Sequence, residues 1–368
     1  MFATILNTAI NIASFLFILG ILVLVHEWGH FWVARKCGVK VEEFAFGLPP
    51  RLWGKKKGDT LYAINAIPFG GYVKMLGQDD FDPKAAVDTP RTADHFEAKT
   101  WWQKALILCA GVAMNVLLAI VLFSIGYMVG MKPLIPDSPL FNQALERNGV
   151  IIREIQKDSL GESIGIPNEG KIEKINNTTV KTTAQLHELI GKYKNAGFSL
   201  TIDNQTYGIP ALKENEKIGL AYGENMTLKE IQLPPHQAIY YGAVDSVLIL
   251  RETFASFGKL ITQLFTKLEL SQEVTGPVGI FKLTAQVTQN GFIPFLQLIA
   301  LLSLSLAAVN IIPFPALDGG RLFFVLLESI FPKRWNKLIE GKVHLIGMML
   351  LLLFMLAITY KDIVKLFN

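Results

Sequence analysis

Two histidines and a glutamate near the N-terminus have the spacing of a zinc-hydrolase motif. His26, Glu27 and His30 form an H-E-x-x-H sequence. On a helix the two imidazoles lie on one face, about one turn apart, where they can hold one metal ion. The glutamate between them can accept a proton from zinc-bound water. The motif therefore predicts a hydrolytic Zn²⁺ site with His26 and His30 as ligands and Glu27 as the base.

This motif ends a long apolar segment, so the expected site lies inside a membrane. No charged residue occurs between Met1 and Val25. Charged residues make up 18% of the chain, below the roughly 25% of a soluble domain, and the mean hydropathy is +0.36. Crossing a bilayer takes about 20 mostly apolar residues. The segments that meet this requirement are about 5–33, 101–129, 293–312 (with an apolar helical continuation at 321–331) and 343–358.

A third ligand is expected from a carboxylate far along the chain. A catalytic zinc site with two histidines needs at least one more protein ligand and an open position for water. Asp318 ends the sequence Asn310-Ile-Ile-Pro-Phe-Pro-Ala-Leu-Asp318, whose prolines interrupt the third apolar segment. A carboxylate at membrane depth is costly and usually functional, and a helix break there must face protein or water. Asp318 is therefore the predicted third ligand, at a depth that matches His30.

Two amides are candidates for substrate binding. Asn310 and Asn115 lie in apolar helical segments, where each could bond substrate backbone or hold helices together. We favour a substrate role for Asn310 because it neighbours the break. Two cysteines do not make a disulfide framework, and Cys37 is expected to be an ordinary thiol rather than a ligand. The other four histidines are expected to be solvent-facing or interfacial, without a metal partner: His95, His187, His236 and His344.

Basic residues near the membrane predict the orientation of the chain. The loop after the first span carries Arg35, Lys36, Lys40, Arg51, Lys55, Lys56 and Lys57. The short loop before the fourth span carries Lys333, Arg334, Lys337 and Lys342. Both loops are expected in the cytoplasm, which puts the zinc site near the cytoplasmic side and both termini outside. The net charge of +4 gives no reason to expect nucleic acid as a partner.

The spans divide the chain into seven predicted parts. These are transmembrane helix 1 with the zinc motif (1–33), a cytoplasmic loop (34–100), transmembrane helix 2 (101–130), a polar α+β domain (131–225), an amphipathic juxtamembrane segment (226–292), transmembrane helix 3 with the break (293–331), and transmembrane helix 4 with the C-terminus (332–368). Within the amphipathic segment, the apolar spacing predicts a helix over 236–268.

The cytoplasmic loop is expected to contain a β-hairpin. Strand-like runs at 60–67 and 72–76 flank Pro68-Phe-Gly-Gly71, which predicts a turn. The edge of such a hairpin could hold an unwound substrate by main-chain hydrogen bonds. It could equally serve only to cap the helix bundle. The acidic, proline-containing residues 78–99 are expected to form a linker.

Taken together, these motifs resemble those of the site-2 protease family of intramembrane zinc metalloproteases, in its bacterial branch that cleaves anti-sigma factors. The resemblance covers nearly the whole chain and rests on His26-Glu27-x-x-His30 and Asn310-x-x-Pro-x-Pro-x-Leu-Asp318-Gly. It implies Zn²⁺ on the two histidines and Asp318, catalysis by Glu27 and substrate contact by Asn310. The segment 69–74 resembles the family's membrane-associated β-hairpin region. The implied fold is a polytopic α-helical protein of the bacterial inner membrane.

The polar domain resembles a single extracytoplasmic PDZ domain. The segment 169–177 stands where the family usually has Gly-Asp-x-Ile-x-x-Ile-Asn-Gly, although here the acidic residue and the last glycine differ. The implied partners are the lipid bilayer and single-span transmembrane substrates, such as anti-sigma factors or signal-peptide remnants. The oligomeric state is left open. Two alternatives are a non-catalytic membrane scaffold that presents the PDZ-like domain, and a zinc hydrolase of lipids or small molecules.

Overall fold

The computed structural model describes residues 2–78, 92–213, 217–267, 275–331 and 337–367. The chain divides into two compact units, of which the smaller is Lys132–Ile231 and the larger combines Met1–Met131 with Gln232–Asn368. The middle of the predicted 78–99 linker lies outside the described residues. So do Lys333 and Arg334 of the second basic loop.

Helices dominate the larger unit, and strands the smaller one. In chain order the helices are α1 (Phe2–Lys36), α2 (Trp101–Val129), α3 (Phe141–Ala144), α4 (Leu160–Ser163), α5 (Thr183–Tyr193), α6 (Pro235–Lys267), α7 (Pro277–Gln289), α8 (Phe292–Ile311), α9 (Asp318–Ile330) and α10 (Lys337–Phe367). The strands are β1 (Val41–Lys57), β2 (Thr60–Met75), β3 (Leu145–Ile155), β4 (Gly170–Ile175), β5 (Thr178–Thr179), β6 (Phe198–Ile202), β7 (Gln205–Ile209) and β8 (Leu220–Leu228).

Among the described residues, four helices are long and apolar enough to cross a membrane, as expected of a multi-pass membrane protein. The candidate spans are Thr4–Lys36, Trp101–Val129, Phe292–Ile311 and Ile339–Lys365. They confirm the four apolar segments predicted from the sequence. The amphipathic helix predicted at 236–268 is α6, which is not among the candidate spans in the described part of the chain. The short helix α7 was not predicted as a separate element.

The second span is the centre of the larger unit. Helix α2 packs against α1, α6, α8 and α9. The buried residues of α2 include the small Ala110, Gly111 and Ala119, which let neighbouring helix backbones approach closely. At Gly29 of α1, an added Cβ would lie only 2.7 Å from the carbonyl carbon of Ala110. The H-E-x-x-H motif therefore packs directly against α2.

The predicted break in the third apolar segment separates α8 from α9. Helix α8 ends at Ile311, and α9 begins at Asp318. Pro313 and Pro315 have no backbone N–H, so neither can continue the hydrogen-bond ladder of α8. The break leaves Asp318 in the first turn of a new helix, where the exposed N–H groups favour a negative charge.

The β-hairpin is larger than predicted, and its turn lies elsewhere. Strand β1 was not expected, and it pairs antiparallel with β2 through a turn at 58–59. The prediction of a hairpin turn at 68–71 is wrong, because β2 continues through these residues. Instead β2 bends near Gly70, which has φ +89°. As a result, residues 43–46 of β1 pair with both 61–64 and 71–74 of β2.

The smaller unit is an antiparallel sheet with short helices. Its strand order is β7-β6-β4-β3-β8, with β5 paired to β4. Alternate residues of the strands point to one side and form an apolar core, which includes Val150, Ile152, Ile172, Leu200 and Ile202. Leu186 of α5 packs into the same core. The α+β composition agrees with what the sequence predicts for this region.

Candidate metal centre

Three predicted ligands converge in the larger unit. The Nε2 atoms of His26 and His30 lie 3.2 Å apart. Oδ2 of Asp318 lies 3.0 Å from Nε2 of His26 and 3.2 Å from Nε2 of His30. Within the described ranges, these are the His, Cys, Asp and Glu side chains grouped closely enough to share one metal ion. The three ligand atoms thus form a nearly equilateral triangle.

The dimensions of this triangle fit zinc. Zinc binds histidine nitrogen and carboxylate oxygen at about 2.0–2.2 Å in tetrahedral geometry, which places neighbouring ligand atoms about 3.3 Å apart. Two nitrogens and one oxygen are also a donor set that zinc accepts, and three protein ligands leave one position for water. Both histidines are buried. Asp318 keeps 21% of its side chain exposed, while its ligand atom Oδ2 is buried.

One face of α2 orients both imidazoles. Nδ1 of His30 lies 2.8 Å from the carbonyl oxygen of Ile107, which can only accept, so Nδ1 carries the proton. The lone pair of Nε2 then points towards Asp318. Nδ1 of His26 lies 3.2 Å from the side-chain amide of Asn115. Ile107 and Asn115 are eight residues apart, about two helical turns, so both lie on the face of α2 that meets the two histidines of α1.

Asn115 is fully buried, and its amide contacts a ligand rather than open space. As oriented, Nδ2 faces His26, while Oδ1 has no hydrogen-bond partner among the described residues. Turning the amide by 180° would let Oδ1 accept from Nδ1–H of His26, which leaves Nε2 free to bind a metal. The substrate-binding role predicted for Asn115 is untested, and this contact favours the positioning of His26.

Gly111 provides the space between these two contacts. It lies four residues from both Ile107 and Asn115 on the same face of α2. A Cβ at Gly111 would clash with Nε2 of His30 and lie 2.8 Å from Cε1 of His26. Any larger residue would therefore displace the imidazoles. The four-residue spacing of Gly111 and Asn115 is a sequence signal for this face, although it is a weak one without the structure.

Glu27 lies beside the ligands and against the hairpin. It is on α1 between the two histidines, within electrostatic range of both and of Asp318 and Arg321. A Cβ at Gly71 of β2 would lie 3.4 Å from Cγ of Glu27 and 2.9 Å from the carbonyl oxygen of Ala45. Glycine at this position thus lets the strand run past the carboxylate. The predicted base and the hairpin therefore form one site.

Side-chain hydrogen bonds stabilise the hairpin next to Glu27. The hydroxyl of Tyr72 donates a hydrogen bond to Oε1 of Glu43 at 3.0 Å, and Arg51 donates to the same oxygen at 2.8 Å. Burial, together with the hydrogen bond to Glu43, raises the pKa of Tyr72 above its ordinary value, so the phenol stays protonated at neutral pH. Asn65 donates to the carbonyl oxygen of Gly47 at 2.9 Å. These bonds cross between the segments of the bent hairpin.

The remaining candidates occupy different places. Asn310 is half-buried in the last turn of α8, just before the segment that leads to Asp318. Cys37 is a free thiol, as expected, and follows the end of α1. His187 and His236 are exposed. The expectation that His95 and His344 are solvent-facing or interfacial is wrong, since they are only 7% and 8% exposed. Tertiary packing, which the local sequence does not reveal, covers both.

We expect Asn115→Leu to weaken zinc binding by about 10- to 100-fold, the range for losing an outer-shell partner of a ligand. Leucine has a similar volume but cannot bond Nδ1 of His26. Asn115→Asp should bind zinc close to the wild-type level, because its carboxylate accepts from Nδ1–H. Competition with a fluorescent zinc chelator measures both affinities. Equal affinities for Asn115→Leu and wild type would show that the amide does not orient His26.

Comparisons with known proteins agree with this chemistry. A family profile described as Peptidase family M50 matches residues 14–354. A protein of Clostridium acetobutylicum that bears a zinc metalloprotease name is 34% identical over 360 residues, which cover 96% of this chain and 97% of that protein. The zinc metalloprotease RasP of Bacillus licheniformis is 28% identical, covering 98% of this chain and 100% of its own. The regulator of sigma-W protease RasP of Bacillus subtilis is 27% identical, covering 98% and 99%.

Proposed function

Because this chain belongs to the peptidase M50 family and is a membrane zinc metalloprotease, we propose that His26, His30 and Asp318 hold its zinc ion. The main support for this proposal is the triangle of ligand atoms, which lie 3.0, 3.2 and 3.2 Å from one another. When bound there, zinc supplies a Lewis acid for the scissile carbonyl and lowers the pKa of a water molecule. Three protein ligands leave one coordination position open for a water molecule.

Glu27 is the general base and then the general acid. Its carboxylate accepts the proton of the attacking water and later gives it to the leaving amine. The position between two ligands on α1 supports this role, because the same turn of helix presents the ligands and the carboxylate. Its contact with the hairpin supports it as well, since a substrate lying along that strand would pass close to Glu27.

The strand edge next to Glu27 is the proposed binding site for an unwound substrate. A peptide bond inside a transmembrane helix is protected, so the helix must open before attack. In the described residues, the segment 71–75 of β2 pairs with β1 on one side, and its other edge has no strand partner. An extended substrate can add to such an edge by main-chain hydrogen bonds. Asn310, at the end of α8, is the proposed side chain that bonds substrate backbone.

The substrates are proposed to be single-span membrane proteins. The relative from Bacillus subtilis is named a regulator of sigma-W protease. By this likeness, the chain would act in regulated intramembrane proteolysis, with anti-sigma factors or signal-peptide remnants as substrates. The similarity, which covers 98% of this chain, supports the same substrate class.

The smaller unit is proposed to be an extracytoplasmic PDZ-like domain. The six antiparallel strands described in this unit, with α5 near the edge strand β8, are compatible with that fold. The departures at 169–177 are accommodated: Ile172 and Ile175 are buried, and Asn176 adopts φ +50° while its side chain accepts from the backbone N–H of Ser199. An asparagine tolerates positive φ better than most residues, so a glycine is not required at this turn.

The proposed orientation places the metal centre near the cytoplasmic face of a bacterial inner membrane. Arg35 and Lys36 lie in the last turn of α1, one to two turns beyond His30. Basic residues concentrate on the cytoplasmic side of membrane proteins. Both termini and the PDZ-like domain would then be extracytoplasmic.

Purified protein reconstituted with one equivalent of zinc should cut a single-span peptide within its apolar segment. A chelator should abolish the cut and added zinc should restore it. Mass spectrometry of the products maps the bond. A non-catalytic scaffold would leave the peptide intact and need hold no stoichiometric zinc. A lipid or small-molecule hydrolase would bind zinc, leave the peptide intact and release products from its own substrate, which would refute the peptidase assignment.

A further inference from the structure

The segment that delivers Asp318 has an unusual backbone. Between α8 and α9 the chain turns through residues 312–317, and Ala316 adopts φ +79°. Residues with a Cβ seldom adopt positive φ, so the surrounding structure must hold Ala316 in this conformation. Ala316 is only two residues before Asp318. Any rotation at Ala316 would therefore swing the carboxylate away from the two histidines.

The fourth span holds this turn in place. Nδ1 of His344, on α10, accepts a hydrogen bond from the backbone N–H of Ala316 at 2.9 Å. The imidazole is buried, and its ring centroid lies 5.1 Å from that of Phe324 on α9. One turn further along α10, a Cβ at Gly347 would lie 2.6 Å from the carbonyl oxygen of Pro315. Helix α10 therefore packs directly on the residues that precede Asp318.

We infer that His344 is a positioning residue for the metal centre: its Nδ1 fixes the Ala316 turn, and the turn fixes Asp318. The inference rests on the proposed zinc site. Because Nδ1 of His344 accepts from an N–H, this atom carries no proton, and the imidazole acts here as a hydrogen-bond acceptor. Its ring also fills the space between α9 and α10. The fourth span thus takes part in metal binding without supplying a ligand.

Two substitutions separate the hydrogen bond from the packing. In His344→Asn, Oδ1 occupies nearly the place of Nδ1 and can still accept from Ala316. In His344→Leu, a side chain fills the space but cannot accept. Ile358→Ala is the matched control, because Ile358 is also buried on α10 but packs near Gly276, away from the Ala316 turn. It should lower thermal stability without touching the metal centre.

Zinc affinity, measured by chelator competition, is the main readout. We expect His344→Leu to bind zinc about 10- to 100-fold more weakly than wild type, as for other outer-shell losses. His344→Asn and Ile358→Ala should stay within about threefold of wild type, since neither removes an acceptor from Ala316. Hydrogen exchange of the metal-free protein gives a second readout, in which the amide of Ala316 should exchange faster in His344→Leu than in Ile358→Ala.

The outcomes distinguish this inference from the proposed function. Failure of the wild-type protein to bind zinc would refute the metal centre itself. If wild type and His344→Leu both bind zinc tightly, only the role of His344 is overturned. The same conclusion follows if His344→Asn folds but binds zinc as weakly as His344→Leu. If His344→Leu does not fold, His344→Asn decides: wild-type affinity supports the inference, and weakened affinity overturns it.

Discussion

Glu27→Gln is expected to bind zinc as tightly as the wild-type protein and to cleave a single-span peptide at least about 100-fold more slowly. Glutamine keeps the size of the side chain and its place against Gly71. It cannot accept a proton from the attacking water, nor return one to the leaving amine. The initial rate of peptide cleavage, together with the zinc content of the purified variant, measures the two effects separately.

Glu252→Gln is the matched control for this substitution. Glu252 is an exposed carboxylate on α6, so its loss should change neither zinc content nor rate. Because the two variants lose the same charge, a difference between them reports position rather than net charge. A Glu27→Gln enzyme that holds zinc and turns over at the wild-type rate would remove Glu27 from the mechanism.

Asp318→Asn should abolish stoichiometric zinc binding and, with it, cleavage. The amide is nearly the same shape as the carboxylate but carries no charge to stabilise the cation, and it is a poorer ligand. Two histidines would remain, one fewer than the three protein ligands usual in catalytic zinc sites. We expect the affinity to fall by more than the roughly 100-fold upper range for outer-shell losses. Chelator competition and metal analysis measure the change.

Asp362→Asn tests whether the effect is specific to the metal centre. Asp362 is a buried carboxylate on α10, and its Oδ2 accepts from the backbone N–H groups of Gly276 and Gly279 at 2.9 and 2.8 Å. Its loss should lower the thermal stability of the helix pair α7 and α10, because two bonds at the N-terminus of α7 weaken. Zinc affinity should be unchanged. Equal loss of zinc in both variants would mean that Asp318 acts only through folding.

The spans were predictable because the bilayer imposes a length. About 20 apolar residues are needed to cross the bilayer, and an apolar segment of that length is easily recognised in the sequence. The four predicted segments agree with the candidate spans to within a few residues at most of their ends. The break before Asp318 was predictable for a similar reason, since Pro313 and Pro315 cannot join a helical ladder whatever surrounds them.

The hairpin was harder to predict because sheet pairing is not local. The Gly-Gly pair at 70–71 suggested a turn, and only the structure shows that β1 pairs with β2 on both sides of a bend. The sequence of residues 41–57 did not predict a strand, because its prolines and three consecutive lysines disfavour strand formation. Helix α7 was overlooked because it is short and follows a longer amphipathic helix.

Burial of single side chains depended wholly on packing. His344 looked like an ordinary polar residue of a helix, yet its neighbours come from α9 and from the Ala316 turn. Asn115 was recognised as unusual in an apolar segment, but its partner His26 is on another helix. A hydrogen-bond partner far away in sequence cannot be deduced from the spacing of residues on one element.

In the metal centre too, one part follows from local sequence and the other from tertiary packing. His26, Glu27 and His30 share a face because a helix turns every 3.6 residues, so their mutual placement follows from local geometry alone. That Asp318 comes within 3.0 Å of His26, and that Ile107 and Asn115 orient the two rings, follows from the packing of α1, α2 and α9. Helical periodicity acts over a few residues of one chain segment. Convergence of distant segments is decided only when close-packed helices exclude every other arrangement.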